Sequence, residues 1–239
     1  MDHSLSVIVP AYNEEANIYG TLENVSKALA SAGITDFEVL VINDGSKDRT
    51  AEVVKKAEAE FKGVRLVQNP KNIGFGASYR AGVNMASKKY TVMVHGDNAW
   101  GHETLAEFFK KIGQANIIIG YTQDMLSSRT LSRTLISKTF TFLMNLITQY
   151  YLKYYNGLQI HPTETLQKMN IVSIGYSFQP EVLIKSIMKN KTYIEVGMDL
   201  TERKLGESKA FKLKNFIEVG KSFFYLIKVR WFQGNSFHA

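Results

Sequence analysis

The chain contains no cysteine. That excludes a disulfide framework and a thiolate metal site, and it fits a reducing cytoplasm. No hydrophobic run is long enough to span a bilayer, which takes about eighteen or more consecutive apolar residues. The nearest candidate lies between Lys138 and Lys153, and Thr139, Thr141, Asn145 and Gln149 interrupt it. No secretory signal is expected, because Met1-Asp2-His3-Ser4 lacks a basic region and a strand pattern begins at once. Internal repeats and low-complexity segments are absent.

What remains is a globular composition. Of 239 residues, 45% are hydrophobic and 21% charged, which argues against disorder and suits one α/β domain with a short extension. The net charge of +7 favours anionic partners: nucleotide phosphates, acidic lipid headgroups or nucleic acid. No nucleic-acid recognition motif accompanies it, so nucleic acid is not expected.

Strand and helix patterns alternate along the first half. Leu5–Pro10, Phe37–Ile42, Val64–Val67, Tyr90–Val94 and Ile117–Ile119 read as strands. Between them, Ala11–Gly33, Asp48–Phe61, Gly76–Ser87 and Leu105–Ile112 have helical spacing. This order predicts an α/β fold with a mostly parallel sheet covered by helices. Right-handed crossovers then bring the strand C-termini to one edge, where such sheets bind ligands. Pro10-Ala11-Tyr12, Asp44-Gly45-Ser46 and His95-Gly96-Asp97 fall on that edge. Beyond Tyr121 the pattern predicts a polar loop, an aromatic helix over Leu135–Tyr155 and a strand at Tyr193–Val196. A charged, mobile loop over Thr201–Lys209 and an aromatic, basic helix over Phe216–Phe232 complete it.

Several residues admit both a chemical and a structural reading. Asp44, at a strand end, can accept hydrogen bonds from a base or ribose, or it can be a turn aspartate. Asn72-Ile73-Gly74-Phe75-Gly76-Ala77 can turn backbone N–H groups toward a phosphate, or it is a tight turn. It is no dinucleotide fingerprint, since Tyr79 occupies the place of the third glycine. Asp97 and His95 can share a divalent cation, or Asp97 caps the next helix. His102 and His161 read as surface or helix-start histidines. Arg129, Arg133 and Lys138, and separately Arg203 and Lys209, can hold phosphates or form a solvated basic face.

The order of these pieces resembles glycosyltransferase family 2. The resemblance rests on Ser6-Val7-Ile8-Val9-Pro10-Ala11-Tyr12-Asn13-Glu14-Glu15, on Val39 through Asp44-Gly45-Ser46 to Thr50, and on Asn72 through Ala77 with Arg80 and Gly82. The stretch Glu195-Val196 through Arg203, Gly206, Ser208 and Lys209 resembles its dolichol-phosphate (polyprenyl-phosphate) mannosyltransferase-like branch. A GT-A fold is implied, with a glycosyltransferase domain over 1–210 and an amphipathic C-terminal helix in 211–239. Within the domain, 1–120 would be the nucleotide-sugar half and 121–210 the acceptor half.

The resemblance also implies roles. Pro10, Tyr12, Glu14, Asp44, Gly76 and Arg80 would bind the nucleotide. Asp97, Arg203 and Lys209 would act on the leaving diphosphate, and Arg133 and Ser137 would receive the acceptor. Mg2+ or Mn2+ would be held by Asp97 and His95. The family usually carries Asp-x-Asp where this chain has His95-Gly96-Asp97, so only the second carboxylate is kept. Its branch tends to have an arginine where this chain has Thr122, and a basic residue near Gln159.

The expected reaction is inverting transfer of a hexose from a UDP- or GDP-sugar to a polyprenyl phosphate. One alternative is transfer to a sugar hydroxyl of a surface polysaccharide, with Asp199 or Glu195 as base. Another is an inactive nucleotide-sugar-binding protein. A cytoplasmic chain lying peripherally on the inner face of the membrane is expected from its two aromatic helices. Those helices would serve equally for packing on each other or on a second copy in a homodimer.

Overall fold

The computed structural model describes residues 3–123, 131–173, 177–189, 191–199 and 223–231. Strands and helices alternate at first: β1 (Leu5–Ala11), α1 (Ile18–Ser31), β2 (Phe37–Asn43), α2 (Thr50–Glu60), β3 (Val64–Gln68), α3 (Phe75–Met85), β4 (Tyr90–Met93), α4 (His102–Phe109) and β5 (Ile117–Thr122). Then come α5 (Leu131–Thr148), β6 (Gln159–Pro162), α6 (Thr163–Gln167), α7 (Phe178–Met188) and β7 (Tyr193–Met198). A last helix, α8, covers 223–231.

One seven-stranded sheet runs in the order β3-β2-β1-β4-β6-β5-β7. Neighbours are parallel except at β6, which is antiparallel to both β4 and β5. The other strands therefore all end on one edge, in the α/β class that the periodicity implies. β1 is buried along its whole length because both faces of the sheet are covered, which is why it reads as an apolar run rather than an alternation. Its register with β2 runs from Leu5↔Phe37 to Ala11↔Asn43, while β4 pairs only from Leu5↔Tyr90 to Ile8↔Met93.

Pro10 fits this arrangement. Ile8 O accepts Val94 N at 2.9 Å, and Ala11 O accepts Asp44 N at 2.8 Å. Even-numbered residues of β1 thus turn their backbone groups toward β4, and Pro10 lies beyond the last β4 pair. Its missing N–H costs no ladder bond.

The two sheet faces follow the period of two. Val7 and Val9 join α1, α2 and α4 in one core through Leu22, Val25, Val54 and Phe108. Ile8 joins Leu40, Tyr79, Val83, Phe178 and Val182 on the opposite face. There α3 lies so close that a Cβ on Gly82 would stand 2.5 Å from Ile8 Cγ2. Around β5 a third cluster gathers Ile117, Ile119, Met144, Tyr155, Leu183 and Leu226 from α5, α7 and α8.

Several expectations change. The first helix begins at Ile18, because residues after Ala11 form an irregular turn with Asn13 at φ 54. α5 stops at Thr148, short of Tyr155, where Gln149 (φ 59) and Tyr151 (φ 54) reverse the chain. Its last carbonyls are capped from α8: Trp231 Nε1 donates to Ile147 O at 3.1 Å and Arg230 Nε to Thr148 O at 3.0 Å. The two aromatic helices therefore pack on each other. His161 is neither a surface nor a helix-start residue. It is buried in β6, with Gln159 Oε1 3.1 Å from Nε2 and Ser186 Oγ 3.3 Å from Nδ1. Burial pushes its pKa down to about 3. The Thr201–Lys209 loop lies outside the described residues.

Candidate functional site

Four loops converge at the edge where the parallel strands end. The β1–α1 and β2–α2 turns are stitched directly together. Asn13 N donates to Ser46 Oγ at 3.0 Å and Lys47 N to Asn13 Oδ1 at 2.9 Å. Glu14 N donates to Thr50 Oγ1 at 2.9 Å and Glu15 N to Asp48 Oδ2 at 3.2 Å. Asp48 also accepts Thr50 N at 3.0 Å, which fixes the start of α2. Burial alone would raise the Asp48 pKa, but the hydrogen bonds it accepts from Thr50 and from Glu15 N together outweigh that and hold it below the usual carboxylate range.

Asp44 joins β2 to the glycine-rich β3–α3 loop. It is 3% exposed. Its Oδ1 accepts Ile73 N at 2.8 Å and Asn69 Nδ2 at 3.0 Å, and its Oδ2 accepts Gly74 N at 2.9 Å. The carboxylate thus caps the entrance to α3 from another loop. Gly45, at φ 68, lets the two loops touch, since a Cβ there would stand 2.6 Å from the Lys71 carbonyl carbon. The structural contacts of Asp44 are thus made with the entrance to α3 rather than with α2.

The β4–α4 turn carries His95, Gly96, Asp97 and Asn98. Asn98 adopts φ 55, a left-handed conformation that asparagine tolerates better than most residues. Helix α1 holds it there: Asn98 N donates to Thr21 Oγ1 at 3.0 Å, and Asn24 Nδ2 donates to Asn98 Oδ1 at 2.9 Å. A Cβ on Gly20 would come within 2.7 Å of Asn98 Nδ2. Gly96 lies under the end of β1, where a Cβ would be 3.2 Å from Pro10 O. The His95 ring stacks on Phe75, with centroids 5.2 Å apart, and Phe75 meets Phe178 edge-on at 5.3 Å.

The site residues suggested by sequence therefore fall into groups. Pro10, Tyr12, Glu14 and Asp44 share the stitched β1 and β2 turns, and Glu14 Oε2 accepts Asn17 Nδ2 at 2.9 Å. Gly76 is buried in the first turn of α3. Arg80, exposed one turn further on, donates from Nη1 to Ile171 O at 2.8 Å. His95 and Asp97 share the β4–α4 turn, beside Pro10. Ser137 is half-buried on α5, which packs against β5, across the sheet from β2. The Arg133 side chain, Arg203 and Lys209 lie outside the described residues. Glu195 is occupied structurally, since its Oε1 accepts Lys153 N at 2.7 Å. Asn69, Asn98, Thr21 and Asn24 were not singled out by sequence. Only the Asp97-Asn98 pair, two turn-forming residues after a strand, hinted at one of them.

The donor set accommodates a divalent cation only in part by itself. Among the described residues no three His, Asp or Glu side chains converge. Mg2+ is commonly held by one or two carboxylates together with substrate phosphates and water, so the single carboxylate of Asp97 fits that mode.

Residues 6–172 match the model of Glycosyl transferase family 2, and the chain belongs to that family. A dolichyl-phosphate beta-glucosyltransferase of Trichomonas vaginalis is 39% identical over 99 residues, 40% of this chain and 30% of that protein. Another from the same organism is 27% identical over 229 residues, 89% of this chain and 67% of the relative. The undecaprenyl-phosphate mannosyltransferase of Micrococcus luteus is 27% identical over 213 residues, 84% of this chain and 85% of its own. The chain thus spans under a third of the first relative and about two thirds of the second.

Among solved structures, glucosyl-3-phosphoglycerate synthase of Mycobacterium tuberculosis, in complex with Mn2+, UDP and glucosyl-3-phosphoglycerate, superposes with a TM-score of 0.63. It is 17% identical, and the match covers 94% of this chain and 77% of that one. S. aureus TarS 1-349 in complex with UDP-GlcNAc gives a TM-score of 0.65 at 18% identity, over 95% and 66% of the two chains. At such identities the likeness is one of fold, and the fold is GT-A.

Proposed function

We propose that this chain is an inverting glycosyltransferase that moves a hexose from a UDP- or GDP-sugar to a polyprenyl phosphate at a membrane surface. The observation that carries the proposal is a combination within one chain. A strand-end site of family 2 form and a helix pair whose outer face is apolar belong to one fold, with the pair packed on β5 of the same sheet. On α5, Leu135, Phe142 and Leu146 are each more than half exposed, as are Tyr151 and, on α8, Phe224 and Trp231. Exposed Lys138, Lys153 and Lys228 are interspersed with them. An apolar face with basic residues is the signature of a helix lying in a lipid interface, and a long polyprenyl chain resides there. Among the described residues no helix is long and apolar enough to cross a membrane. The position proposed for the chain is peripheral, on the cytoplasmic face. The names of the curated relatives give polyprenyl phosphates as their acceptors.

In the proposed reaction a phosphate oxygen of the acceptor attacks the anomeric carbon of the donor sugar. A new C–O bond forms on one face while the bond to the diphosphate breaks on the other, and the nucleoside diphosphate leaves with the electron pair. The attacking phosphate is already anionic, so no general base is required. Pro10, Tyr12, Glu14 and Asp44 would form the base and ribose side of the pocket, and Gly76 and Arg80 its phosphate side. Asp97, with His95 beside it, would hold Mg2+ or Mn2+, whose charge lowers the cost of the departing diphosphate. Arg203 and Lys209 would assist there, and Arg133 and Ser137 would meet the acceptor phosphate. Residues 1–120 would thus serve the donor, 121–210 the acceptor, and 211–239 the membrane.

Binding of UDP and GDP, each with and without Mn2+, tests the donor half. One nucleotide is expected to bind, and Asp97→Ala is expected to abolish the metal effect. Absence of binding to both nucleotides in every condition would overturn the reading.

A further inference from the structure

A continuous set of polar contacts, buried at its centre, joins α8 to Arg80. Glu181 and Lys185 lie one turn apart on α7, with side chains 0% and 4% exposed and Nζ 2.6 Å from Oε1. Lys185 Nζ also donates to Asn170 O at 2.6 Å and contacts Tyr225 Oη, on α8, at 2.9 Å. The Glu181 carboxylate accepts Val172 N at 2.9 Å and Ser173 N at 2.8 Å. Between these peptide groups, Ile171 O accepts Arg80 Nη1. The ion pair therefore grips residues 170–173 from one side while the same segment holds the Arg80 guanidinium on the other.

Stability alone is a poor explanation for this arrangement. Two charges so deeply buried cost desolvation that their attraction only roughly offsets, and an apolar pair of the same size would often serve as well. What the pair does supply is direction. Five of its bonds go to the backbone or hydroxyl groups of other segments, two of them to Tyr225 Oη, and each is charge-assisted. Tyr225 is in turn set by the seating of α8, through buried Leu226 and Val229 and the Arg230 and Trp231 bonds to the end of α5.

We propose that Glu181, Lys185 and Tyr225 are positioning residues that fix Arg80 for the diphosphate of the nucleotide-sugar, so that the seating of α8 is felt on the donor side of the sheet. This rests on the transferase reading above. Its signature is a coupling between Tyr225 and Arg80, which belong to helices with no direct contact through these groups.

The test is a double-mutant cycle in the full chain, with Tyr225→Phe and Arg80→Ala and with UDP and GDP as the probes. Tyr225→Phe keeps the ring and the packing of α8 and removes only the hydroxyl. It is expected to speed hydrogen exchange of the Val172 and Ser173 amides roughly tenfold. It should also weaken binding of the preferred nucleotide about threefold, with no further loss in the Arg80→Ala background. Unchanged amide exchange, or an equal loss of affinity in both backgrounds, would overturn the relay while leaving the transferase reading intact. A wild-type chain that binds neither UDP nor GDP fails differently: it removes the donor and the proposal with it, even if amide exchange responds.

Discussion

Replacing Asp44 by alanine removes three hydrogen bonds at once, and the structure sets their worth. Bonds to a charged acceptor contribute about 1.5–3 kcal/mol each. Two of the three donors, Ile73 N and Gly74 N, belong to a loop whose neighbours Lys71 and Asn72 are exposed, so water can partly replace the carboxylate there. Asn69 Nδ2 keeps a second acceptor, Ser78 Oγ, at 3.3 Å. With the Asn69 bond discounted, the low end of the range for the other two gives about 3 kcal/mol as the expected destabilisation in Asp44→Ala. At roughly 2–4 °C per kcal/mol for a domain of this size, that is a fall in Tm of about 6–12 °C. Asp44→Asn retains one acceptor oxygen but turns an amide N–H toward Gly74 N, and is expected to lie between alanine and wild type. Urea unfolding measures this as a shift in midpoint at unchanged slope. A midpoint for Asp44→Ala within about 0.5 kcal/mol of wild type would refute the anchoring role. The same experiment governs how any loss of nucleotide binding in this variant is read, because a collapsed α3 entrance weakens binding without a lost base contact.

Other outcomes are expected from the same geometry. His161 is neutral in the fold and its pKa is about 3, against 6.5 when exposed. The unfolded chain therefore takes up the proton first. The stability tied to neutral His161 is full above 6.5 and is lost as pH falls toward the folded value, by about 2 kcal/mol at pH 5. Urea midpoints across that range should flatten in His161→Gln, and an equally steep decline in that variant would contradict the assignment. Gly45→Ala should cost about 3 kcal/mol and Gly33→Ala about 1, although both sit at similar positive φ, because only Gly45 abuts backbone; equal midpoints for the two would be inconsistent with the Lys71 contact. Phe142→Ser with Leu146→Ser should leave Tm unchanged and weaken co-sedimentation with anionic liposomes by about tenfold; undiminished binding would place the membrane contact elsewhere.

The sheet edge was legible in the sequence because turn chemistry is local. Pro10, Asp44-Gly45 and the glycines after Asn72 each mark a break at their own position. Their partners were not legible. Asp44 bonds to Ile73 and Gly74, 29 and 30 residues later, and nothing in the local pattern encodes that pairing. The stretch after Tyr155 was opaque for a different reason. β6 is four residues long, carries Gln159 and His161, and is inserted antiparallel between β4 and β5 by tertiary pairing. α7 is buried from Phe178 through Ser186, so it has no polar face to give a helical period. Its Glu181 and Lys185 look like surface charges in sequence and are among the most deeply buried groups of the fold.

Sugar transfer itself decides whether this chain is the proposed transferase. Wild type and Asp97→Asn would be incubated with UDP-glucose or GDP-mannose, Mg2+ or Mn2+, and a polyprenyl phosphate in mixed micelles. Wild type is expected to form a polyprenyl-phosphate sugar of inverted anomeric configuration with one of the donors, and Asp97→Asn to do so about 100-fold more slowly. No product from either donor with either metal, or product only on a water-soluble sugar hydroxyl, would contradict the account.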